Sequence, residues 1–342
     1  MTLLLTGFIL IILSLLALDL GLFNRKPREI SFKESLGWTA CWVTLSLAFS
    51  IAVYFIYENH WFNMGRGPDG AVVDGWTAAM QYLTGYIVEE SLSLDNIFVI
   101  TLIFSYFAVP PQFQHRVLFY GILGALIMRG VMIGVGAALI HQFHWIIYVF
   151  GVMLVYTAFK LLMTSADDSV HPEKNPLVRL ARRIYPVTSH FEGERFFTRM
   201  NGKFAVTPLF LVLLVVESTD LLFAIDSIPA IFAITKDPFI VFTSNIFAIL
   251  GLRSLYFVLA SVVKQFKYLK VSLSLLLAFI GVKMLLSSYY PIPIQVSLGV
   301  IITTLAGGII ASLLFAPRAS ERDMLEAQED SVADPLKVGG RA

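Results

Sequence analysis

Two stretches of this chain place carboxylates inside long apolar runs. The first reads Gly85-Tyr-Ile-Val-Glu89-Glu90-Ser-Leu-Ser-Leu-Asp95-Asn96-Ile-Phe-Val. The second reads Val216-Glu217-Ser-Thr-Asp220-Leu-Leu-Phe-Ala-Ile-Asp226-Ser227-Ile-Pro229-Ala. A charge at the centre of a membrane helix costs about 2.5–3.5 kcal/mol on insertion scales, so such residues mark function or a fixed pairing. The next apolar run after each carries one arginine, Arg129 and Arg253, suited to be a counter-ion or a gate latch. Two arginines cannot neutralise all of these acids. The remaining donors are hard: the Asn96 amide and the hydroxyls of Ser91, Ser93, Ser218, Thr219 and Ser227, with no local His, Cys or Met. Such a set suits Mn²⁺, Mg²⁺ or Ca²⁺ and argues against Cu⁺ or Zn²⁺. Without an ion, some of the clustered acids must hold protons, because like charges repel strongly at low dielectric. Cation–proton exchange on the same carboxylates follows as the expected chemistry. Lys160 and Lys283, also within apolar runs, are expected to snorkel or line a cavity.

The two stretches also repeat. Leu92-Ser-Leu-Asp95-Asn-Ile-Phe-Val-Ile parallels Phe223-Ala-Ile-Asp226-Ser-Ile-Pro-Ala-Ile, which sets Glu89 opposite Asp220. Ile122-Leu-Gly-Ala-Leu-Ile-Met-Arg129 parallels Ile246-Phe-Ala-Ile-Leu-Gly-Leu-Arg253. At about 100° per residue, Glu217 and Asp220 share a helix face, Asp226 lies roughly opposite Glu217, and Glu89 and Asp95 diverge by about 120°. Unbroken helices would therefore aim some acids apart. Pro229 removes the hydrogen bond to the Ile225 carbonyl, and both acidic helices are expected to bend or unwind at mid-membrane so that the acids converge.

The elements that must hold these residues follow from composition. Of the 342 residues, 57% are hydrophobic and 14% charged, where a soluble domain carries roughly a quarter charged. The apolar residues fall into blocks at Leu3–Leu22, Leu36–Tyr57, Trp76–Phe107, Val117–Ile140, Trp145–Met163, Val206–Ile234, Phe239–Val263, Val271–Ser288 and Ile294–Phe315. These blocks predict an all-α polytopic membrane protein with about nine transmembrane helices. With the amino terminus outside, the inner side receives Arg25, Lys26, Arg28 and Lys33, then Arg116, the basic residues between Lys174 and Lys203, Lys264, Lys267 and Lys270, and the tail's Arg318, Arg322, Lys337 and Arg341. The outer side receives only Arg66 and Lys236. That asymmetry places the N-terminus outside and the C-terminus inside. Spans three to five and six to eight then run in opposite senses as inverted three-helix repeats, the architecture of many secondary transporters.

The predicted organisation is a transmembrane transporter domain over 1–315, including a solvated cytoplasmic loop at 164–203, followed by a disordered cytoplasmic tail at 316–342. The first block lacks a basic leader and a cleavage site and reads as an uncleaved helix, which points to a bacterial inner membrane. Cys41, the single cysteine, reads as a small packing residue. Gly121, Gly124, Gly130, Gly134 and Gly136 are expected to allow close helix contact. No phosphate loop or nucleophile–base constellation appears, so an enzyme is not expected, nor is a prosthetic group or a nucleic-acid partner.

Four segments carry a resemblance: Glu89-Glu-Ser-Leu-Ser-Leu-Asp95-Asn96, Glu217-Ser-Thr-Asp220-Leu-Leu-Phe-Ala-Ile-Asp226-Ser-Ile-Pro229, Asp237-Pro-Phe-Ile-Val-Phe-Thr-Ser-Asn245-Ile-Phe-Ala-Ile-Leu-Gly-Leu-Arg253, and Pro291-Ile-Pro-Ile-Gln-Val-Ser-Leu-Gly299. In these the chain resembles the TerC family, and within it the Alx-type manganese exporters. The resemblance implies export of Mn²⁺ carried by Glu89, Asp95, Asn96, Glu217, Asp220 and Asp226, with Glu90, Asn245 and Ser227 as weaker candidates. It also implies an association with tellurite resistance and alkaline response, and with the secretion machinery as a partner. The alternatives are an antiporter of Ca²⁺ or another divalent cation, and a non-transporting membrane partner of a stress or secretion complex.

Overall fold

The structure is a computed structural model that describes residues 2–18, 31–65, 72–143, 145–163, 175–200, 202–260 and 268–314. Among these residues lie ten α-helices and one two-stranded antiparallel hairpin. The helices are α1 (Thr2–Leu18), α2 (Phe32–Glu58), α3 (Gly75–Tyr106), α4 (Pro111–Gln142), α5 (Ile146–Met163), α6 (Pro176–Ile184), α7 (Pro208–Phe232), α8 (Pro238–Leu259), α9 (Leu269–Leu286) and α10 (Ile294–Leu314). Strands β1 (Phe197–Met200) and β2 (Lys203–Val206) lie between α6 and α7.

Seven of these helices, α2, α4, α5 and α7 to α10, are long and apolar enough to cross a membrane. Helix α3 spans 32 residues but carries Glu89, Glu90 and Asp95 in its middle. The outward faces are apolar: Ile127, Val131 and Val135 on α4, Tyr156 and Phe159 on α5, and Ile310, Leu313 and Leu314 on α10 are all exposed. Surface of this kind on several helices suits hydrocarbon and not water. The chain is a multi-pass integral membrane protein.

Local chemistry starts the helices. Asp74 accepts from Thr77 N to cap α3. Asp237 accepts from Phe239 N at 2.9 Å, and Pro238 supplies a first-turn residue that needs no N–H partner. The other Asp237 oxygen accepts from the Tyr57 hydroxyl at 2.7 Å, which ties the end of α2 to the start of α8.

Helix α8 is the enclosed element, 94% of its most apolar window being buried inside the protein. It packs against α2, α3 and α4. Around it, α3 contacts α7, α4 contacts α7, and α5 lies along α9. The last pair crosses at Gly151 and Gly281, where a Cβ added to either residue would meet the other's carbonyl oxygen at 3.0 or 2.8 Å. Helices can approach this closely only where side chains are absent.

Several expectations change. Neither α3 nor α7 unwinds; each is continuous helix through its acidic stretch. Pro229 falls in the last turn of α7, so its missing N–H removes one bond near a helix end and leaves the preceding ladder intact. Cys41 is exposed on α2 and is not a packing residue. The segment predicted as a solvated loop is mostly exposed where described and contains α6 and the hairpin, with Val178 and Ala181 covered against α7 and neighbouring residues and Thr207 N bonding the Phe196 carbonyl at 3.0 Å. Of the glycines on α4, Gly124 and Gly136 meet close neighbours, while Gly134 faces open space. Arg25, Lys26, Arg28, Arg66, Lys174, Lys264, Lys267 and the tail from 316 lie outside the described residues.

Candidate functional site

Arg129, on α4, is 1% exposed and organises the polar interior. Its Nε donates to Asp220 Oδ2 at 3.2 Å and its Nη2 to Asp220 Oδ1 at 2.9 Å, a two-pronged clasp. Its Nη1 donates to the Glu89 carboxylate and lies 3.4 Å from both Ser227 Oγ and Asn245 Oδ1. Asn245 Nδ2 donates to the other Glu89 oxygen at 3.1 Å. Asn96 Nδ2 reaches Asp220 Oδ1 at 3.4 Å, while its own Oδ1 is buried with no hydrogen-bond partner among the described residues.

The cluster thus joins four helices: α3 through Glu89 and Asn96, α4 through Arg129, α7 through Asp220 and Ser227, and α8 through Asn245. Glu89 is fully buried and the Asp220 side chain is 13% exposed. Charge-assisted bonds of this kind are short and strong, and a fork of donors matches a carboxylate's two oxygens. With both acids ionised, one guanidinium leaves the cluster with an excess of negative charge.

The other predicted acids do not join it. The Glu217 carboxylate lies against Gly124 of α4, where an added Cβ would overlap it, and its Oε2 is buried without a hydrogen-bond partner among the described residues. Asp226 accepts from Thr157 Oγ1 of α5 at 3.0 Å and has Lys160 as a charged neighbour. Asp95 is half-buried, and its charged neighbour is Lys270 at the start of α9. Glu90 has Tyr86 as a polar neighbour and lies against Gly251 of α8. Arg253 is buried on α8 and shares a void of about 20 Å³ with Asp220.

For Asp226 and Asp95 this divergence is the one helical periodicity requires when the helices stay unbroken, whereas Glu217 shares Asp220's face and lies against the same α4, with Asp220 as its charged neighbour. Among the described residues no three carboxylate, imidazole or thiol groups gather as a metal-ligand set. Three candidate hydroxyls instead donate within their own helices: Ser91 to the Ile87 carbonyl at 2.5 Å, Ser218 to Val215 at 2.9 Å and Thr219 to Val215 at 2.7 Å. Each of these oxygens still offers lone pairs.

Sequence reasoning did not single out Thr157, which holds Asp226, or Asn175, whose Nδ2 donates to Ser218 Oγ at 2.6 Å and docks α6 on α7. Neither lies in a motif, so no signal pointed to them. Gly124 had a signal in its glycine-rich run, but its partner is a carboxylate and not another helix backbone.

Fold and site together define a multi-pass α-helical membrane protein whose polar core binds two acidic helices to one buried arginine. Residues 74–320 match the integral membrane protein TerC family, and the chain belongs to that family. It is 50% identical over 317 residues to an uncharacterized membrane protein, STKORF319, of Myxococcus xanthus, covering 93% of this chain and 94% of that one. It is 47% identical over 296 residues to proteins of Salmonella typhi and Escherichia coli (strain K12), covering 86% of this chain and 89% of theirs. Both carry the provisional name membrane-bound redox modulator Alx. No solved structure matches the chain.

Proposed function

We propose that this protein exports divalent cations, Mn²⁺ foremost, across a bacterial inner membrane in exchange for protons. One observation carries the reading. Glu89 and Asp220, which stand at equivalent positions of the two repeating motifs, meet on a single buried cation at the centre of the bundle. The Arg129 guanidinium occupies the place between them that a hard cation would contest. Release of Arg129 from either acid would open carboxylate oxygens, with Asn96 Oδ1 and the Ser227 and Asn245 oxygens beside them, to an ion that prefers oxygen donors. Protons arriving on the same acids would discharge the ion.

The helix contacts fit a two-fold repeat of α3–α5 and α7–α9, while the nine-span, N-outside topology is supported by the asymmetry of basic residues between loops. Exchanging α3, α4 and α5 with α7, α8 and α9 turns the α3–α8 contact into the α4–α7 contact and leaves α5–α9 unchanged. The name carried by the Alx relatives concerns redox. Cys41 is the single cysteine here, so a redox effect of this chain would run through metal supply and not through a thiol pair. Tellurite resistance and contact with the secretion machinery would be further consequences of the same role.

The test uses purified protein in liposomes with a proton gradient and Mn²⁺, Mg²⁺ and Ca²⁺ in competition. Glu89→Gln and Asp220→Asn each keep an oxygen facing Arg129 and remove only the charge. Each is expected to lower Mn²⁺ flux by about tenfold or more, the loss of one charge-assisted contact. Unchanged flux in both variants rejects the reading. A second reading, a non-transporting scaffold, draws on the same clasp, since a guanidinium satisfied by two acids also locks helices together. It requires that wild-type liposomes carry no ion at all.

A further inference from the structure

A cavity of about 280 Å³ opens where α7 and α9 end and where α3, α5 and α10 begin. Its lining includes Thr77, Gln81, Lys236, Lys283 and Ser287, with Phe232 and Met284 among the apolar walls. None of the described residues that line it is acidic. Lys283 is 9% exposed, and among the described residues it has no ion-pair partner. Asp237, beside Lys236 in sequence, is committed elsewhere, to the Tyr57 hydroxyl and the backbone N–H groups of Phe239 and Ile240. Two lysine side chains therefore border one cavity, one of them in a nearly closed setting with no ion-pair partner among the described residues.

Burying an unpaired ammonium is costly, and the cost falls when an anion enters beside it. Within a cation carrier, a pair of lysines at one mouth does not serve as a resting place for the cargo. We propose that the cavity is an anion site that takes a phosphate group, held by Lys283 and Lys236 and oriented by the Gln81 amide and the Thr77 hydroxyl. The volume accommodates a phosphate together with several waters at roughly 30 Å³ each. Lysine binds phosphate as a point charge and demands no fixed fork geometry, which suits two flexible side chains around one tetrahedral anion. The phosphate belongs to a lipid headgroup or to the free ion. The proposal does not depend on which cation the protein carries.

Two arms distinguish the sources. In the first, inorganic phosphate is titrated by calorimetry into the full-length protein in a neutral detergent. In the second, the protein is reconstituted in phosphatidylcholine nanodiscs with or without phosphatidylglycerol, and retained lipid is counted by native mass spectrometry. Lys283→Met and Lys236→Gln are each compared with wild type, and Lys283→Arg serves as the variant that keeps a cation. Saturable phosphate binding that weakens by about tenfold or more in Lys283→Met and survives in Lys283→Arg assigns the free ion. A retained phosphatidylglycerol lost in the same pattern assigns the headgroup. Failure of wild type to hold either, or equal binding in all variants, overturns the proposal. If Lys283→Met does not fold, Lys236→Gln, at an exposed position, carries the comparison alone.

Discussion

A carboxylate buried as completely as Glu89 must hold a proton or face a cation, and Arg129 is the cation it faces. The same guanidinium forks onto Asp220, so one side chain satisfies acids from two helices. Truncating it would leave both acids uncompensated. Arg129→Met is expected to destabilise the protein by about 3–5 kcal/mol, the range for breaking a buried ion pair from one side. A lowered melting temperature in detergent reads this out. Adding Glu89→Gln and Asp220→Asn to that variant should recover part of the loss, because the unpaired charges are then gone. A triple variant that melts no higher than Arg129→Met would show that the arginine's packing, not its charge, sets the stability.

Among the helices, the crossing of α5 and α9 is set by two glycines that face each other's carbonyl oxygens. A leucine at Gly281 would push the pair apart, with Gly151 and Val155 directly in its way. Overpacking of a close contact costs about 1–3 kcal/mol, so Gly281→Leu should lower the melting temperature. Gly134→Leu, where nothing lies within 4 Å of an added Cβ, should melt like wild type. The contrast matters because both glycines sit in apolar helices and look alike in sequence. The continuity of α3 and α7 belongs to this scale too: Ser91 and Thr219 hydroxyls bond carbonyls of their own helices, and nothing in the middle of either ladder interrupts it.

The whole molecule is an apolar-surfaced bundle around an enclosed α8. The proposed topology puts the α9–α10 connection outside and the α6–β1 segment inside. In a Cys41→Ser background, single cysteines at the exposed positions Tyr289 and Ser189 should react with a membrane-impermeant maleimide from opposite faces of oriented vesicles. Tyr289→Cys is expected to label from outside intact cells, and Ser189→Cys only after the membrane is opened. Labelling of both from the same face would refute the nine-span count.

Composition and period alone determined that the chain is helical and membrane-embedded, since long apolar blocks have no other stable arrangement in lipid. The motif acids and arginines were legible for the same reason, as each is too costly within an apolar run to stand there without a role. Their partners were not legible. Azimuth around an unbroken helix sends Asp220 toward Arg129, Glu217 against Gly124 and Asp226 to Thr157, and which helix waits on each side is decided by packing between segments distant in sequence. The meeting of Glu89 with Asp220 on one guanidinium is therefore a property of the tertiary structure: it requires α3, α4, α7 and α8 to converge at one point, a condition written in no single helix.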